Sequence, residues 1–170
     1  MAKESLVAGV LAGYDPEVGA ALWRLEDARE RTLRLLKEVP ADAVDSESGG
    51  NTIGTILYHV ALIEADWLFT EILERPIPEQ IQALLPADDR DHSGVLTAVH
   101  GQGIDAHLAR LGTVRRALLH ELRAIAAEDF HRARQLPQYD VSPAWVLHHL
   151  AQHEAEHRAE IGSILAALNG

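Results

Sequence analysis

The chain has 170 residues, with 26 Asp and Glu against 15 Lys and Arg and a formal net charge of −11, so nucleic acid and anionic membranes find no basic surface to bind. Cysteine is absent, which excludes disulfides, thiolate ligands and a cysteine nucleophile and leaves His, Asp and Glu to hold any metal. This length fits a single domain, residues 1–170, with a sizeable core, and no run of about 18 apolar residues is present to span a bilayer.

Ala and Leu carry the hydrophobicity while Phe, Trp and Tyr reach only 5%, a composition suited to helices packing through small and aliphatic side chains. The first 13 residues read as an arm or a loosely packed turn; one Lys before a short, Gly-broken apolar segment makes a poor export signal, and the cytoplasm is the expected compartment. Asp15-Pro16 starts a helix expected to run to about Val39, with Val18, Leu22, Leu25, Leu33 and Leu36 on one stripe. Arg29 falls within that stripe. Its guanidinium must pair with a carboxylate, open into a polar cavity as a pocket residue, or snorkel at the edge.

After Pro40, residues 41–50 form a loop, and Asn51 or Thr52 caps a second helix that ends before Arg75-Pro76. His59 interrupts its apolar surface, with Thr55, Ile63 and Asp66 on about the same face. Asp66, two turns on, is placed to orient an imidazole, act as a base or serve as an alternative ligand. Residues 76–103, with three prolines and the cluster DDRDHSG, form a long connection in which EQIQALL makes at most a short helical turn. Such a length either carries the chain back along the bundle, leaving the second and third helices parallel, or covers a site as a lid.

A third helix spans about Ile104–Ala127 on a Leu108, Leu111, Leu118, Leu122, Ile125 stripe, with its arginines read as a solvated face and His107 and His120 as surface residues. Residues 129–141 connect to the last helix, and no strand pattern stands out. That helix, Ser142–Leu168, carries the densest chemistry: His149, His153 and His157 recur every four residues. At about 100° per residue, His157 lies near +40°, His149 near −40° and Glu160 near −20° from His153. Two imidazoles one turn apart are a common metal grip, yet an open catalytic site needs a further ligand from another element.

Four amphipathic helices, His59 within TILYHVALIEADWL, and His149, His153, His157 and Arg158 within WVLHHLAQHEAEHRAEI together resemble the DinB-like superfamily of metalloenzymes, whose relatives include bacillithiol S-transferases and mycothiol-dependent maleylpyruvate isomerases. The resemblance implies an all-α four-helix bundle with a divalent metal, zinc or nickel foremost, held by His59, His153 and His157, while His149 lines the pocket. It also implies a small-molecule substrate, bacillithiol or mycothiol as co-substrate, and pairing into a homodimer. Glu156, Ala159 and Glu160 stand where relatives often carry His, Gly and Gln, which alters the rim of the site rather than the ligands. Glu160, Asp66 and Glu156 are the candidates for proton transfer or ligand orientation. Two reactions follow, thiol transfer to an electrophile or hydrolysis by a bound hydroxide; the non-enzymatic alternative is a stress-linked helical protein with structural histidines.

Overall fold

The computed structural model describes residues 7–37, 39–46 and 50–169. The beginning of the expected arm (1–6) and residues 47–49 of the first loop lie outside them. Four long helices make the frame: α1 (Pro16–Leu36), α2 (Ile53–Asp66), α4 (Ile104–Glu121) and α6 (Pro143–Asn169). Between them sit the short α3 (Glu79–Gln82) and α5 (Ala127–His131). Local chemistry sets the starts: the Asp15 carboxylate accepts from the Glu17 amide with Pro16 following, and the Thr52 hydroxyl accepts from the Thr55 amide. α1 stops at Leu36, short of the expected Val39, and Leu33 is 39% exposed rather than core.

Pairing along the helices fixes the topology. Gly54 packs against His107, Tyr58 against Arg110 and Glu64 against Arg115, so α2 and α4 ascend together. Asn51 meets Glu160, His59 meets His153, and Trp67 meets Trp145, so α2 and α6 are antiparallel. Tyr14 bonds the Leu119 carbonyl while Arg29 bonds that of Leu111, which sets α1 antiparallel to α4. The molecule is therefore an up-down-down-up four-helix bundle, and the long connection between α2 and α4 carries the chain back along its length. Its core is aliphatic, with Leu22, Leu25, Ile56, Leu57, Leu68, Leu111, Leu118 and Leu122 fully buried.

Three expectations fail for identifiable reasons. The third helix ends at Glu121, tightens into one turn over Leu122–Ala124, and is followed by the separate α5. Arg134–Gln135 and Asp140–Val141 pair as a two-residue antiparallel hairpin, too short for any alternation to show in sequence. Arg110, Arg115 and His107 are buried, not solvated: His107 shares a face with Leu111, Val114 and Leu118 at i, i+4, i+7 and i+11. Arg110 bonds the Leu84 carbonyl and Gln102, pinning the connection to α4.

α2 does not end as a regular helix. From Trp67 to Ile72 it widens into a π-helical segment in which the Leu73 amide reaches back to the Leu68 carbonyl, five residues away, at 3.0 Å. Trp67, the first residue of this wide turn, stands against α6.

Candidate metal centre

His59 projects from the middle of α2 and is 5% exposed; His153 and His157 project from successive turns of α6, half-buried. Because the two helices run antiparallel, these rings meet. His153 Nε2 lies 3.0 Å from His59 Nε2 and 3.1 Å from His157 Nε2, and one ligand atom from each residue falls within 4.8 Å of the others. A tetrahedral cation bound by imidazole at about 2.0–2.1 Å separates its donors by roughly 3.3 Å. The three rings are thus spaced close to what such an ion requires.

The outer nitrogens decide which way the lone pairs point. His59 Nδ1 lies 2.6 Å from Asp89 Oδ1, and His157 Nδ1 lies 3.0 Å from Glu160 Oε2. Each carboxylate accepts an Nδ1–H, which leaves the Nε2 lone pair of that ring aimed inward. His153 Nε2 faces both. It has at most one proton to give, so at least one inward lone pair has no hydrogen from the other two rings. A cation would satisfy all three at once, and the donor set, three neutral imidazoles with two carboxylates outside them, fits a divalent metal.

The surroundings favour neutral rings. Burial, followed by the neighbouring His157, His59 and His149, depresses His153 to about 3. Burial also lowers His59, with Asp89 opposing the shift and His157 adding to it. Asn51 extends the support by donating from Nδ2 to Glu160 Oε1 at 2.9 Å, so a residue before α2 braces a carboxylate on α6.

The sequence candidates separate cleanly in space. His59, His153 and His157 come together, and Glu160 stands behind one of them. His149 borders the group, its ring centroid 5.8 Å from that of His153, and stacks on Trp145. Asp66 does not orient an imidazole: its carboxylate accepts from Thr70 one turn on, and Asp89 fills the place beside His59. The Arg29 guanidinium does not reach the histidine centre either. Its Nε and Nη2 pair with Glu154 at 2.6 Å and Glu64 at 2.9 Å in the middle of the bundle.

That interior pairing is a closed network. Arg115 bonds Glu64 through Nε and Nη2, reaches Glu154 at 3.2 Å, and also pairs with the more exposed Glu26. Burial alone would push the Glu64 carboxyl up, but Arg115 and then Arg29 outweigh it and hold it below its usual range. Asp89 is the residue that sequence reasoning missed. The acidic DDRD run was visible, but which acid meets α2 depends on the path of the whole connection.

Comparison with known proteins agrees with this architecture. The family model described as the DinB superfamily matches residues 24–161. A solved structure described as "TT2238, a four-helix bundle protein" superposes with a TM-score of 0.56 at 23% identity, over 86% of this chain and 98% of that one. Among curated proteins, no significant match was found.

Proposed function

This chain belongs to the DinB superfamily, and from that membership and the histidine geometry we propose a divalent-metal-dependent enzyme in which His59, His153 and His157 are the ligands, catalysing transfer of a low-molecular-weight thiol to an electrophilic small molecule. The observation that carries the reading is the inward convergence of three imidazoles, two of them fixed in tautomer by Asp89 and Glu160. When bound, a divalent cation in such a site supplies Lewis acidity, lowering the pKa of a coordinated thiol or water and polarising a carbonyl. Zinc and nickel both suit three imidazoles.

The protein's own residues do the positioning. Asp89 and Glu160 keep the Nδ1 protons and hold each ring at one orientation. Asn51 fixes Glu160 in turn, and both Glu160 and Asp89 are partly exposed. The absence of cysteine means the reacting thiol is brought by a co-substrate, bacillithiol or mycothiol being the classes to try first.

Elemental analysis of untagged protein beside the His59→Ala/His153→Ala/His157→Ala variant tests the ligands: the parent should carry close to one equivalent of metal and the variant almost none. Metal content unchanged by the substitutions would defeat the assignment. Conjugation of bacillithiol and mycothiol to an aryl electrophile, assayed beside ester and amide hydrolysis, tests the reaction. Metal-dependent hydrolysis without thiol consumption would replace transfer by hydrolysis.

A further inference from the structure

We propose that a cavity of about 540 Å³ where the end of α2 meets the start of α6, walled by Trp67, Tyr139 and Trp145, binds a small organic cation with a quaternary or protonated-amine head. Its size suits a small molecule. Tyr139 and Trp145 are 44% and 49% exposed, an unusual cost for two large aromatic surfaces side by side unless something covers them. They do not stand alone. Trp67 lies between them, nearly parallel to Tyr139 at 6.2 Å and tilted against Trp145 at 5.4 Å. The Trp145 ring stacks on His149 at 5.0 Å, and His149 in turn neighbours His153, so one aromatic wall runs from the cavity to the histidine centre.

Charge decides the class of occupant. Asp140 lines the cavity, as do Ser142 and His131, and among the lining residues there is no Lys or Arg. Behind Tyr139, the buried Glu71 accepts a hydrogen bond from the phenol at Oε1, 2.9 Å away, while its Oε2 is buried with no hydrogen-bond partner. Asp66 lies close enough to both groups to act on them electrostatically. The nearby basic groups are already partnered: Arg132 and Arg134 both pair with Asp129, and His131 pairs with Glu17. Aromatic faces with carboxylates behind them and no competing cation attract a positive head and repel an anion.

Binding of the cation does not depend on the metal, whereas its role as the substrate presented to the centre rests on the metalloenzyme reading. The test therefore uses metal-stripped protein, titrated with choline and with its uncharged isostere 3,3-dimethylbutanol, read by tryptophan fluorescence and calorimetry. Choline should saturate the protein and bind at least about tenfold more tightly than the isostere. Trp145→Ala, at a half-exposed position, should weaken choline at least about tenfold, and Glu71→Gln, which keeps the shape, by a few-fold. Equal affinity for the two probes, no saturation by choline, or choline binding unaltered by Trp145→Ala would each overturn the proposal.

Discussion

Glu154 and His153 are adjacent in sequence, yet they belong to two polar centres of opposite design. Glu154 turns into the bundle, where it, Glu64, Arg29 and Arg115 satisfy one another with contacts of 2.6–3.2 Å. His153 turns the other way and meets two further imidazoles whose inward lone pairs lack enough protons to share. The first is complete as it stands; the second keeps a lone pair to spare, where the proposed metal would sit. Burial alone therefore says little about the purpose of a polar group, and the state of its hydrogen-bonding capacity says much more.

The sharpest way to break this contrast is to remove one charge from the closed centre. Glu64→Gln leaves two guanidinium groups short of a carboxylate, and should cost about 3–5 kcal/mol in chemical denaturation. Metal content per folded molecule should stay at the parental level, because no histidine loses a partner. A loss of metal at unchanged stability would merge the two centres into one.

His107 stands between the extremes. Its Nδ1 faces Arg110, while its Nε2 and the neighbouring Asp45 Oδ1 are both buried without a hydrogen-bond partner beside Gly54. Burial, with Arg110 second, depresses this imidazole to about 4, against the opposing pull of Asp45. A depressed histidine pKa means the unfolded chain binds the extra proton first. Its contribution is thus fully present above the unfolded value near 6.5 and is lost as pH falls toward 4, at most about 3 kcal/mol. His107→Gln should flatten the stability curve between those limits, and an unchanged slope would show that this ring titrates freely.

The smallest expected effect refines the open centre. Asp89→Ala removes the acceptor that holds the His59 tautomer and should weaken metal affinity about 10–100-fold, measured by competition with a chelator. Asp66→Ala should change it hardly at all. The reverse ranking would return the orienting role to α2.

Periodicity reached the four long helices and the pair His153 and His157, which rest on spacing within one helix, while the resemblance supplied the bundle and the third histidine, His59. Arg29 was legible as an anomaly in an apolar stripe, but its partners, Glu64, Glu154 and the Leu111 carbonyl, come from three other helices. His107 carried a readable signal in its i, i+4, i+7, i+11 relation to Leu111, Val114 and Leu118; choosing Leu108 as the start of the stripe hid it. Asp89 and the Tyr139 wall carried none. Asp89 sits on irregular backbone whose course is set by contacts such as Arg110 with Leu84 and Gln102, and Tyr139 sits in the turn of the short hairpin.

The wide turn at Trp67–Ile72 houses a surplus residue compared with ordinary winding. Losing one amino acid from that stretch would let α2 keep ordinary winding to its end. What would change is the stance of the indole beside Tyr139 and Trp145. A change of length at this spot would therefore re-aim the aromatic mouth of the molecule together with the buried Leu68, Phe69 and Ile72.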